Sequence, residues 1–200
     1  MLLMPTLETE RLVIRPFVVD DLEAIHQLLD LDLREADFGN EGPQPLGARR
    51  QWLQWTILSY EELAKLYQPP YGDRAVIVKQ DNRLIGACGF VPCLAPFGQL
   101  RVFPSTSKRV ATHAYSTEFG LFYAIAPASQ RQGYATEASK ALIAYAFDEL
   151  QLQRIVATTT QANTASISVM QKVGMQIAKN PYPDPPWLQV VGVLENNSGR

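Results

Sequence analysis

The chain has 200 residues, enough for one sizeable domain with its own hydrophobic core. With 46% hydrophobic residues, 19% charged residues and a net charge of −2, it reads as a folded soluble protein with no electrostatic drive toward nucleic acid. Two cysteines (Cys88, Cys93) and two histidines far apart in sequence (His26, His113) are too few for a disulfide framework or a zinc site, so no metal is expected.

The opening Met1-Leu2-Leu3-Met4-Pro5 lacks the basic region of a signal peptide, and no apolar run reaches membrane-spanning length. A reducing, cytoplasmic location is the expectation. Leu12 to Arg15 is β-branched enough for a first strand. Asp20 with Glu23 three residues later resembles a capping box, which predicts a helix from Leu22 to about Leu31 with Leu22, Ile25, Leu28 and Leu29 on one face. Gly39 to Gly47 is loop, and Arg50 to Tyr67 reads as a second amphipathic helix using Leu53, Ile57, Leu58, Tyr60, Leu63 and Leu66.

Arg74 to Lys79 and Leu84 to Val91 are expected to form a hairpin through Gln80-Asp81-Asn82-Arg83. Cys88 in its Gly-Ala-Cys-Gly run reads as a small core residue. Arg49-Arg50, and Arg101 through Lys108-Arg109, are small basic spots read as solvated surface. Pro92 to Tyr115 is a long, proline-punctuated connection of the kind that is functional or partly ordered as extra strand. Ser116 to Ile125 is the central strand, followed by Pro127, the turn Gln130-Arg131-Gln132-Gly133-Tyr134-Ala135 and an alanine-rich helix from Thr136 to Leu150. Arg154 to Thr160 is a further strand, and Ala165 to Val173 a short helix ended by Gly174. Pro181 to Pro186 cannot be regular structure, and Leu188 to Leu194 returns as a last strand. This order fits a single α/β domain over residues 1–200 with a mixed, mostly antiparallel sheet and about four helices.

A glycine turn between a strand and a helix start leaves backbone N–H groups unpaired where the helix dipole favours an anion. The run Gln130-Arg131-Gln132-Gly133-Tyr134-Ala135 resembles the pyrophosphate-binding turn of the GNAT superfamily of acetyl-CoA-dependent N-acetyltransferases. Leu7-Glu8-Thr9-Glu10-Arg11-Leu12-Val13-Ile14-Arg15-Pro16 with Asp20-Asp21-Leu22 resembles the opening of the branch that acetylates ribosomal-protein N-termini. Ala162-Asn163-Thr164-Ala165-Ser166 and Lys172-Val173-Gly174-Met175 are similar to that branch's Asn-x-x-Ser helix and its exit.

The resemblance implies acetyl-CoA as co-substrate, a primary amine as acceptor and direct attack in a ternary complex. The acceptor is expected to be a protein or peptide N-terminal amine or a small-molecule amine, and the enzyme a monomer or homodimer. The resemblance places the backbone of Arg131, Gln132, Gly133, Tyr134, Ala135 and Thr136 around the pyrophosphate, with a charge-assisted contact from Arg131. It pairs the main chain of Tyr123, Ala124 and Ile125 with the pantetheine arm, one N–H facing the thioester oxygen. Asn163 is expected to cap its helix and to bond the arm, with Ser166 on the same turn. Many relatives carry a tyrosine acid seven residues after that asparagine; here Met170 stands there as packing, leaving Ser166 or water to protonate the thiolate. Glu118 is the candidate general base, with His113 a weaker competitor. Trp187, Tyr182 and the Pro92–Tyr115 connection are candidates to wall the acceptor site. A branched side chain at position 133 is expected to press on the pyrophosphate. A GNAT-shaped module that binds acyl-CoA without turnover is the alternative reading, and a P-loop protein is disfavoured because no Gly-x-x-x-x-Gly-Lys-Ser/Thr run exists.

Overall fold

Strand β1 (Leu7–Glu8) lies antiparallel to β2 (Leu12–Pro16), with Leu7 opposite Ile14. The structure, a computed structural model, describes residues 5–34, 42–69, 71–100, 102–103 and 115–197. It forms two compact units, one made of Met1–Phe90 and Phe122–Ala144, the other of Val91–Leu121 and Tyr145–Arg200. Among the described residues there are eight strands in mostly antiparallel pairing and four α-helices, so the α/β class expected from the sequence is observed.

In the first unit β2 continues the ladder to β3 (Gly72–Val78), which turns through Asn82 in the left-handed region (φ 55°) into β4 (Arg83–Ala95). The hairpin is legible in the sequence, and β4 runs on into the second unit through Pro92 to Ala95, within the connection expected to be functional or partly ordered as extra strand. Helix α1 (Leu22–His26) widens at its end into an i→i+5 turn, with the Leu33 N–H donating to the Leu28 carbonyl at 3.0 Å. Its predicted face is the buried one: Ile25, Leu28 and Leu29 join Phe17, Leu53, Ala75, Ile77, Ala87 and Ala124 in one apolar core. The start of this helical stretch differs from expectation. Asp21, not Asp20, is the anchoring carboxylate: it accepts the Val18 N–H at 2.9 Å and both Arg15 terminal nitrogens at 2.7 and 2.8 Å.

Helix α2 runs from Leu46 to Lys65, beginning four positions before the expected Arg50; Pro45 is its extended N-cap, and the Pro45 carbonyl accepts the Arg49 N–H at 3.0 Å. Its inward stripe is Arg49, Leu53, Thr56 and Ala64, while Leu58 and Leu66, expected to be covered, are 59% and 68% exposed. Arg49 is therefore not solvated surface. Its Nε and Nη2 each donate to Asp30 at 2.7 Å, and its guanidinium lies 4.9 Å from the Trp52 ring centre. Buried charges of this kind survive because both partners are present and hydrogen-bonded. Arg101, Lys108 and Arg109 lie outside the described residues.

In the second unit β5 (Ser116–Ile125), which runs on into the first, is parallel to β6 (Arg154–Thr159) with Gly120 opposite Val156. Strand β6 pairs antiparallel with the last strand (Val190–Glu195), β8, and β8 with β7 (Gln176–Lys179), a strand not expected from the sequence. Phe97, Leu100, Phe103, Val156, Leu188, Val191 and Val193 fill the second core.

Candidate active site

The candidate cofactor segment belongs to the first unit: the end of β5, the turn after it, and helix α3 (Tyr134–Ala144). The end of β5 is fixed from both sides. The Ala126 N–H donates to the Ile85 carbonyl at 2.8 Å, and the Gln130 side-chain amide donates to the Ile125 carbonyl at 2.9 Å. Gly86 makes this approach possible, since a Cβ there would stand 2.6 Å from the Ala124 carbonyl oxygen. Gln130, the first residue of the motif, thus holds the strand end. Tyr123 is half-buried, and Ala124 and Ile125 are buried.

Two left-handed residues shape the turn, Arg131 (φ 60°) and Gly133 (φ 86°). The first bond of the following helix runs from the Glu137 N–H to the Gly133 carbonyl at 3.0 Å. Helix geometry then leaves the N–H groups of Tyr134, Ala135 and Thr136 without an intrahelical acceptor at the positive end of the dipole. Alternating backbone handedness of this sort turns successive N–H groups into one concavity, so this turn fits a phosphate group. Arg131, Gln132 and Gly133 are exposed. A Cβ at residue 133 would face Arg11 Nη2 at 3.4 Å, so the side chain expected to press on the pyrophosphate would first meet Arg11.

In the sequence, Arg11 stands only as one letter of an N-terminal signature. In the fold its Nε donates to Glu137 Oε2 at 2.7 Å, its backbone N–H to Glu137 Oε1 at 3.0 Å, and its Nη1 to the Gln132 carbonyl at 3.0 Å. The Thr9 hydroxyl donates to Glu137 Oε1 at 2.6 Å, and the Arg11 guanidinium lies 4.5 Å from the Tyr134 ring centre. Burial pushes the Glu137 carboxyl up, but the bonds from Thr9 and Arg11 outweigh it and hold it below its ordinary value. No spacing rule links positions 126 residues apart, so nothing in the sequence signals this contact.

In the second unit, helix α4 (Thr164–Lys172) is capped by Asn163, whose Oδ1 accepts the Ser166 N–H at 3.0 Å. Asn163 is exposed and Ser166 half-buried. Met170 is 1% exposed and packs near Gly192, so the packing role expected of it is observed.

Glu118 is buried in an ion pair that the sequence does not reveal. Arg154 Nε donates to its Oε2 and Nη2 to its Oε1, each at 2.9 Å, and the Ser116 hydroxyl donates to Oε1 at 3.3 Å. Arg154 also reaches Glu195 at 3.1 Å and lies 4.8 Å from the Phe103 ring centre. Burial works against the guanidinium charge, yet Glu118 and Glu195 together raise its pKa. A carboxylate has about four lone-pair sites, so these three bonds leave Glu118 room for one further proton or donor. Tyr182 and Trp187 are 41% and 38% exposed, and His113 lies outside the described residues. No group of three or more potential metal ligands occurs among the described residues.

A family model described as the acetyltransferase (GNAT) domain matches residues 11–176. The chain belongs to that family. It is an N-acetyltransferase, and acetyltransferases of this family use acetyl-CoA. The uncharacterised N-acetyltransferase YoaA of Bacillus subtilis (strain 168) is 30% identical over 173 residues, 86% of this chain and 83% of its own. The ribosomal-protein-S5-alanine acetyltransferase of Vibrio fischeri has a TM-score of 0.65 at 19% identity, covering 98% of this chain and 100% of that one. AAC(6')-Ib, solved in complex with ribostamycin and coenzyme A, has a TM-score of 0.65 at 15% identity, covering 94% and 96%. At these identities the structural likeness establishes the GNAT fold.

Proposed function

We propose that the protein moves the acetyl group of acetyl-CoA to a primary amine by direct attack in a ternary complex, the acceptor being the N-terminal amine of a protein or peptide. A small-molecule amine is the other candidate. The opening from Leu7 to Leu22, which resembles the ribosomal-protein branch, supports the first. We read the two units as parts of one domain over residues 1–200, because the family match runs through both. We place it in the cytoplasm as a monomer or homodimer, consistent with two free cysteines.

The observation that carries the reading is the turn from Gln130 to Glu137, with left-handed Arg131 and Gly133 ahead of the α3 N-terminus. When bound, acetyl-CoA supplies a thioester-activated acetyl group. The N–H groups of residues 131–136 hold its pyrophosphate, and Arg131 adds a charge. The main chain of Tyr123, Ala124 and Ile125 orients the pantetheine arm, and an N–H aimed at the reacting carbonyl is worth ~3–4 kcal/mol in preorganised sites. Asn163, besides capping α4, bonds the arm, and Ser166 stands by as a proton donor. Glu118, oriented by Arg154, takes the proton of the amine. A thiol pKa of ~8.5 makes an acid at position 170 dispensable.

The test is thiol release from acetyl-CoA with a panel of peptide α-amines, lysine-like alkylamines and small-molecule amines. Saturable release with peptide α-amines is expected. Tight CoA binding with no release from any amine would overturn the transfer reading.

A further inference from the structure

We infer that Arg11, locked by Glu137 and Thr9, is a positioning residue that aims the Gly133 N–H at the pyrophosphate. The inference rests on the proposed role of the turn and adds the device that presets it.

One peptide plane carries the effect. In a trans peptide the carbonyl and the N–H of the same unit point in opposite directions. The Gln132 carbonyl and the Gly133 N–H belong to one such unit, and Arg11 Nη1 grips that carbonyl at 3.0 Å. The Gly133 N–H is thereby turned away from Arg11, onto the open side of the turn. Gly133, at φ 86°, has no side chain to restrain it, and the two residues before it, Arg131 and Gln132, are exposed. An exposed glycine turn samples several peptide orientations at little cost, so an external grip is what selects one.

Arg11 is itself immobilised. Its Nε and Nη2 reach Glu137 Oε2 at 2.7 and 2.6 Å, its backbone N–H reaches Oε1, and its guanidinium stacks on Tyr134. Thr9 completes the clamp, donating its hydroxyl to Glu137 Oε1 while accepting the Leu12 N–H at 2.9 Å. Glu137 is a first-turn carboxylate, which the helix dipole favours, but beside a proposed anion site its charge repels the ligand unless it is neutralised. Its presence there has a physical reason if it holds Arg11, and Arg11 in turn neutralises it.

This arrangement predicts effects of opposite sign from simple electrostatics. Glu137→Gln removes a negative charge near the pyrophosphate, which on charge alone tightens CoA binding. The lock predicts that CoA affinity falls, about five- to tenfold, because Arg11 loses its anchor. Arg11→Lys keeps the charge but cannot span Glu137 and the Gln132 carbonyl with a planar fork, so it too loses about tenfold. Pantetheine, which lacks the pyrophosphate, is expected to bind each variant within about twofold of the wild type.

The measurement is calorimetric competition with CoA and with pantetheine, on folded protein checked by circular dichroism. Arg11→Gln serves as the second variant if Arg11→Lys is unstable. Unchanged or tighter CoA binding by Glu137→Gln, or equal losses for CoA and pantetheine, overturns the inference. Gly133→Ala separates the two levels: if it leaves CoA affinity intact, the phosphate role of the turn fails. If it weakens CoA while Glu137→Gln does not, only the Arg11 inference fails.

Discussion

Arg11 and Glu137, 126 residues apart in the chain, meet through a 2.7 Å bond from Nε to Oε2 and a 2.6 Å contact from Nη2 to the same oxygen. The pair ties the N-terminal signature to the first turn of the helix that follows the glycine turn. It also stands where any side chain added at Gly133 would go.

Gly133→Ala should weaken CoA binding by about tenfold or more. A β-carbon in the left-handed region costs ~1–2 kcal/mol, and here it also comes within 3.4 Å of Arg11 Nη2. Titration calorimetry on the folded variant measures the loss. The larger Gly133→Val should do more damage by the same route, through Arg11 and the backbone.

Met170→Leu should change turnover by no more than a few-fold. Met170 is 1% exposed in the apolar interior, and a swap of similar volume usually costs under ~1.5 kcal/mol. Steady-state rates with saturating acetyl-CoA check this. A hundredfold loss in a stable protein with normal CoA affinity would assign this position a chemical role.

Glu118→Gln separates two roles. Half of an ion pair with Arg154 is lost, so the variant should melt several degrees lower, and Arg154→Gln should do the same. If Glu118 is also the base, turnover falls ~10²–10⁴-fold at pH 6.5 with CoA affinity unchanged. For an α-amine acceptor, of which about a tenth is neutral at pH 7, the defect should shrink as pH approaches about 9. For an alkylamine it should persist. Wild-type turnover at pH 6.5 would leave Glu118 as a structural partner of Arg154.

Asp73 should make the protein less stable as pH rises from about 4 to about 6. Burial raises its pKa from 3.8 to about 6, the Arg49 charge opposes this, and its Oδ1 has no hydrogen-bond partner among the described residues. Between those values the folded state binds the proton and the unfolded state does not. The stability linked to the neutral form is full below 3.8 and lost as pH passes about 6, on the order of 2–3 kcal/mol. Asp30 and Glu137, whose pKa values are lowered, act in the opposite sense at more acid pH. Melting curves of Asp73→Asn against wild type isolate the effect: the difference in Tm should shift in favour of the variant from pH 4 to pH 7. A pH-independent difference would mean that Asp73 ionises normally.

Much of this protein is determined by local chemistry and is therefore legible in the chain. Strand β5 has the ends expected from its sequence, Ser116 and Ile125, the second of them marked by Pro127 just beyond the apolar run. The glycine turn and the Asn163 cap are equally local, since φ freedom at Gly133 and a side-chain acceptor at a helix start act within a few residues. The tertiary structure decided what those residues touch. Arg49 has the look of a surface residue until Asp30 supplies a buried partner, and Glu118 that of an unpartnered carboxylate until Arg154 bonds both its oxygens. Arg11 is one letter of a signature until the fold brings it to Glu137 and the Gln132 carbonyl. The physical reason is common to all three. A charge finds its lowest free energy wherever the folded chain offers a partner, and that partner stands 19 residues away for Arg49, 36 for Glu118 and 126 for Arg11, beyond the reach of any helical or strand period.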